Sequence, residues 1–259
     1  GGDLWAKYFL ALAHFGKAAG GSREAMQSEK FEAFGLPDIA RPYWNRYLEF
    51  VREWKFVGSY GVVADLANEG VRKNFAPLIR LLGRQYVFGL GIEKNEIIAF
   101  KLFEEAANLG DAEAMNYLAW SYERGVGVKP DYRKALDWYQ MASNHGNAEA
   151  MGHLATMYLD FSVRFNGVTQ KRLLDKAIEV YKKLVDAGYG LAYYNLACCE
   201  LRIGRRDSAR AYLEKCAMLG GLPHKTEIRE DPDVDAVRNE EWFKKLLSEY
   251  FRNQSKEHA

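Results

Sequence analysis

The tetrapeptide Ala-Glu-Ala-Met occurs twice, at 112–115 and at 148–151, an offset of 36 residues. The same offset joins Leu118 to Leu154, Ala119 to Ala155, Tyr122 to Tyr158 and Gly110 to Gly146. Counted backwards, it joins Leu118 to Leu82, Tyr122 to Tyr86, Gly125 to Gly89, Gly127 to Gly91 and Ala142 to Ala106. A fixed period of this length means that one small unit is repeated. Such a unit has no core of its own and buries its apolar face on the next.

Each unit reads as two helices. In 112–124, Ala114, Leu118 and Tyr122 recur at i, i+4 and i+8, which makes one apolar stripe. Gly125-Val-Gly-Val-Lys-Pro130 stops that helix, and Asp131 is placed to cap the next, 132–144. Ala135, Trp138, Tyr139 and Ala142 form the second stripe, and Gly146 ends it. Ala119 and Ala135 are small enough to let the paired helices approach closely. Only 6 prolines against 23 glycines suits many helices joined by short turns. The expected fold is all-α, a right-handed superhelical α-solenoid of antiparallel helix pairs.

The unit at 112–146 resembles the Sel1-like repeat, which belongs to the tetratricopeptide-type solenoids. The resemblance rests on Leu118, Ala119, Tyr122, Gly125, Gly127, Val128, Lys134, Ala135, Trp138, Tyr139, Ala142 and Gly146. The unit at 76–110 carries it through Leu82, Gly83, Tyr86, Gly89, Gly91, Ile92, Ala99, Phe103, Ala106 and Gly110. The next unit keeps Leu154, Ala155 and Tyr158 but replaces the G-x-G turn by an expanded segment, 159–168. The unit ending at Gly220 keeps Leu196 and Ala197 and has Glu200 where the Tyr recurs. The expected organisation is divergent N-terminal pairs over 1–75, the array over 76–220, and a capping helix with tail over 221–259. The divergent pairs are Asp3–Phe15 with Ser22–Phe34, and Ala40–Val51 with a helix from Tyr60 that ends at Gly70. Trp242, Phe243, Leu246 and Leu247 supply the apolar side of the capping helix.

Catalytic chemistry is hard to assemble from these residues. The histidines are His14, His145, His153, His224 and His258; His145 and His153 have no Cys, Asp or Glu at zinc-like spacing nearby, and no metal site is expected. The glycine turns lack the strand and the Lys-Ser or Lys-Thr of a phosphate loop. Cys198, Cys199 and Cys216 are odd in number, with two adjacent, which favours a reducing compartment over a disulfide framework and leaves open one bridge from Cys216 to Cys198 or Cys199. A leader removed in processing would instead place the chain in the periplasm or outside the cell. Lys plus Arg number 36 and Asp plus Glu 35, so no basic excess favours nucleic acid. No stretch is long and apolar enough to span a membrane, and no cofactor motif is present.

A second face can be read on each first helix, which in stacked pairs lines the concave wall. In 112–124 it holds Glu113, Asn116, Trp120 and Glu123. The repeat offset transfers it to Arg80 and Arg84, to Glu149 and Thr156, and, through Leu196, to Tyr194 and Cys198. Mixed charge with aromatic anchors is typical of protein-recognition surfaces. The resemblance implies an adaptor for a protein or peptide partner, of which bacterial toxin-neutralising (immunity) proteins are one form. It also raises an enzymatic alternative, the cysteine-rich Sel1-like proteins of β-lactamase or penicillin-binding type. Those carry a cysteine pair in every unit, which this chain lacks, and it has no Ser-x-x-Lys. The fold expectation is checked by circular dichroism: a helical spectrum without β signal is expected, and substantial β content would contradict it.

Overall fold

The computed structural model describes residues 2–18, 40–44 and 60–257, and every regular element in them is helical. The chain divides into two compact units, 1–150 and 151–259, with the division inside one helix.

In the first unit, α1 (Gly2–Ala18) shares a core with the short helical segment at 40–44, with α2 (Tyr60–Arg72) and with α3 (Ala76–Phe88). Trp5, Tyr8 and Phe9 of α1 meet Trp44, Val63, Leu78 and Leu81 there. Next come α4 (Glu96–Asn108), α5 (Ala112–Arg124), α6 (Tyr132–Asn144) and the start of α7 (Ala148–Ser162). The helices pack as the pairs α3–α4 and α5–α6, with α4 also against α5. The second unit holds the rest of α7, then α8 (Gly167–Asp186), α9 (Ala192–Ile203), α10 (Arg206–Met218) and α11 (Lys225–Glu230). A 3₁₀ turn, Pro232–Val234, leads to α12 (Glu241–Glu257). Tyr194, Ala197 and Leu201 of α9 pack with Leu213 and Cys216 of α10, Ile228 of α11, Val234, Val237 and Phe243 of α12. Trp242, Leu246 and Leu247 lie against that cluster.

The local chemistry follows the repeat. Asp131 Oδ1 accepts the backbone N–H groups of Arg133 and Lys134, and Asp111 Oδ1 accepts that of Ala114 at 2.7 Å, so both cap helix starts. Gly125 stops α5 in the left-handed region at φ 75°. Gly127, also left-handed, has a second reason to be glycine. A Cβ there would lie 2.0 Å from the Glu96 carbonyl oxygen of the preceding unit, so the turn of one repeat seats on the start of α4.

Several expectations are corrected. Gly70 does not end α2, which runs on to Arg72. It sits inside the helix because α3 crosses it closely: a Cβ would lie 2.2 Å from Leu78 Cβ. The expanded turn is shorter than 159–168, because α7 continues to Ser162 and buries Leu159 and Ser162. Trp138 and Tyr158 are half-buried rather than core, whereas Tyr122 is buried. The helices expected at Ser22–Phe34 and at 45–51 lie outside the described residues.

These packing facts separate two glycine substitutions. Gly110→Ala meets open space, so it should cost only the left-handed penalty, about 1–2 kcal/mol. Gly127→Ala adds a backbone clash and should cost a further ~1–3 kcal/mol. Denaturant titration of both variants checks this, and equal losses would show that the Glu96 contact does not hold.

Candidate functional site

The expected binding row begins with two arginines on α3, and the structure treats the first as an internal group. Arg80 is 2% exposed. Its Nε donates to Asp111 Oδ1 at 2.9 Å, its Nη2 donates to the Tyr8 hydroxyl at 3.0 Å, and its Nη1 lies 2.9 Å from Glu113 Oε2. The guanidinium thus ties α1 to the start of α5. Burial works against its charge, but Asp111 and Glu113 outweigh it and push the pKa well up. Burial also raises the Tyr8 phenol, to about 12. Arg84 reaches the ring of Tyr117 at 5.8 Å. Burial raises the pKa of Tyr117, with Glu113 and Glu149 adding to the rise and Arg84 and Arg80 opposing it. Of the row, Arg84 is the member in contact with this ring.

The other members separate by exposure. Asn116 is buried on α5 and offers no surface to a partner. Trp120 is half-buried, off the core stripe of its helix. Glu123 accepts the Tyr139 hydroxyl at 2.7 Å and pairs with Arg124 at 3.4 Å. Glu149 is exposed. In the second unit Thr156 is exposed, with its Oγ1 3.1 Å from the Tyr181 hydroxyl. Tyr194 and Cys198 are buried in the α9 core. As a contact surface, the row loses Arg80, Asn116, Tyr194 and Cys198. Elements outside the repeat engage two of them: Tyr8 meets Arg80, and Asp231 meets Tyr194. Tyr8 lies 72 residues from Arg80, a distance at which no pattern in the sequence signals contact.

Tyr194 and Cys198 belong to a polar clasp. The Tyr194 hydroxyl donates to Asp231 Oδ2 at 2.7 Å. Arg202 holds Asp233 through both carboxylate oxygens, at 2.6 and 2.8 Å, and donates to the Leu159 carbonyl at 2.7 Å. One guanidinium joins α7, α9 and the 3₁₀ turn. Cys198, Asp231 and Asp233 offer ligand atoms within 4.8 Å of one another. Their chemistry argues against a cation, because Arg202 already neutralises Asp233. Burial, followed by the two carboxylates, raises the Cys198 thiol well above its usual range, so it stays protonated. A groove beside this clasp, lined by Leu191, Tyr194, Leu222 and Asp231 among others, was not foreseen from the sequence. Among the described residues, no helix is long and apolar enough to cross a membrane.

All three thiols are buried, and burial raises Cys199 to about 12 and Cys216 to about 11. Each raised pKa leaves the neutral thiol dominant at pH 8. Ellman's reagent should therefore label the native chain slowly, and all three cysteines rapidly once it is denatured. Rapid labelling of a native thiol at pH 8 would contradict this burial. Arg80→Met strands two carboxylates and should cost about 3–5 kcal/mol, as broken buried pairs do. Thermal and denaturant unfolding measure that loss.

A family model described as Sel1 repeat matches residues 79–111 and 112–147. No curated protein matches the chain in sequence. Among solved structures, the chain is similar to a Sel1 repeat protein from Oxalobacter formigenes. The TM-score is 0.55 at 21% identity, over 86% of this chain and 93% of that one. A protein of Pseudomonas aeruginosa designated 5086 gives 0.43 at 20% identity, over 94% and 81%. The protective antigen c5321 of uropathogenic Escherichia coli, with an SLR fold, gives 0.37 at 19%, over 83% and 56%. The first likeness bears on the fold alone, and the two lower scores carry no further weight. Sel1-repeat proteins are in general non-catalytic protein-interaction scaffolds. The matched segments coincide with the pairs α3–α4 and α5–α6, so residues 79–147 carry two Sel1 repeats.

Proposed function

We propose that this chain is a non-catalytic scaffold for a protein partner, and that in the first unit the partner lies on the face of α5 that carries Trp120. The observation that carries this reading is Trp120 itself. It is a large aromatic side chain left half-exposed on a helix whose core stripe is already filled by Ala114, Leu118 and Tyr122. Half-buried Trp is a frequent anchor in protein recognition. Glu113, Glu123 and Glu149 surround it in sequence register, two of them held by defined partners, so their charge is presented in fixed positions. Such charges act on association rate more than on affinity. A secreted bacterial toxin is the concrete partner implied by the resemblance to immunity proteins. The near-zero net charge favours a protein over nucleic acid. The buried, protonated thiols and the lack of Ser-x-x-Lys favour binding over acylation chemistry, and nitrocefin should remain uncleaved.

The test is capture from the native host's lysate on immobilised chain. Wild type and an outer-face control, Glu104→Lys, should retain the same protein. Trp120→Ala should bind it at least about 30-fold more weakly, the hot-spot range, while its helical spectrum persists. Equal capture by Trp120→Ala, or recovery of nucleic acid in place of protein, would overturn the reading.

A further inference from the structure

The groove in the second unit is used neither by the repeat register nor by the α5 face. Its volume is about 560 Å³, and it lies among the start of α9, the turn 220–223 and α11. Leu191, Leu222 and Pro223 give it apolar walls, and Tyr194 and Asp231 meet in it through their 2.7 Å hydrogen bond. Two turns meet beside it. A Cβ on Gly221 would lie 2.9 Å from the Gly190 carbonyl carbon. Leu191 of the lining is exposed, as are Tyr189, Met218 and Leu219, which adjoin the two turns in sequence. Singly exposed apolar residues are ordinary, whereas several carried next to two touching turns point to an interaction surface.

The charge in the groove states what fits it. The lining carries two carboxylates, Glu227 and Asp231, and no Lys, Arg or His. Asp231 is satisfied by neutral donors, the Tyr194 hydroxyl and the backbone N–H of Asp233. Glu227 accepts the backbone N–H of His224. Neither carboxylate is neutralised by these bonds, unlike Asp233, which Arg202 holds. We infer that the groove docks an extended peptide segment in which a large apolar side chain stands beside Lys or Arg. The volume accepts such a side chain with its flanking backbone, and the carboxylates select the cation and repel acidic segments. This goes beyond the α5 reading and shares with it only that the partner is a polypeptide.

Fluorescence anisotropy of the full chain with two labelled heptapeptide pools tests the inference. One pool is centred on Leu, Phe or Met flanked by Lys and Arg, the other on the same residues flanked by Asp and Glu. Saturable binding is expected for the basic pool, at least about tenfold tighter than for the acidic pool. Leu191→Ser should weaken it roughly tenfold through lost apolar burial. Glu227→Gln keeps the acceptor for His224, and should weaken binding about two- to fivefold and flatten its salt dependence. Trp120→Ala should change nothing, and circular dichroism confirms that each variant is folded. Absence of saturable binding, equal affinity for both pools, or binding indifferent to Leu191→Ser would overturn the groove assignment. Loss of binding in Trp120→Ala alone would overturn it too, while leaving the α5 reading standing.

Discussion

Close helix approach at small residues is the constraint on which this structure depends. Ala99, Ala106, Ala114, Ala119, Ala135, Ala142, Ala155, Ala177, Ala197 and Ala209 are all fully buried. No one helix pair is wide enough to enclose a core, so the apolar area must come from neighbouring helices pressed together. Alanine permits that at no cost in helix propensity. Gly83 shows the limit, since a Cβ there would lie 2.6 Å from the Phe103 ring. The larger side chains then interlock around these contacts. Phe103 stacks on Tyr117 at 4.9 Å, and Phe100 meets Tyr122 edge-on at 5.4 Å.

Each unit adds one arginine clasp to this apolar scheme. Arg80 joins α1 to α5, and Arg202 joins α7, α9 and the 3₁₀ turn. Buried guanidinium is costly to desolvate, and the geometry compensates with several charge-assisted bonds to carboxylates. Both clasps occur where the repeat meets an element that is not a repeat. Generic apolar packing sets no register at such a junction, and a forked set of hydrogen bonds does. These residues therefore determine how the ends of the array are held, and the surface left over is what a partner can use.

The repeat itself was legible. Gly125, Asp131 and Tyr122 have local reasons for their places, a left-handed stop, a cap and a core stripe, and such reasons are written within a few residues. The candidate site was legible only as a face. The 36-residue offset put Arg80, Arg84, Glu113 and Glu149 in register, and the structure pairs Arg80 with Glu113 and lays Arg84 against Tyr117. Which of them reach solvent was not legible, because that depends on what non-repeating elements cover. Tyr8 covers Arg80, and the tail after α10 covers Tyr194 and Cys198. Gly70 was read as a stop because helix-ending glycines recur through the chain. Its true role, a close crossing with Leu78, depends on a partner that no local pattern announces. The groove at α11 was missed for the same reason, since its walls come from Leu191, Leu222 and Asp231, far apart in the chain.

On the proposed reading, a partner seats on the first-helix face of α5 and leaves the second helix of the pair in solvent. Hydroxyl-radical footprinting of the captured complex tests this directly, because the reporting side chains are already accessible. Tyr132 and Met141 on α6 are 51% and 42% exposed, and Trp120 on α5 is half-buried. The partner is expected to protect Trp120 from oxidation and to leave Tyr132 and Met141 as reactive as in the free chain. Protection of Tyr132 and Met141 with Trp120 unchanged would contradict it.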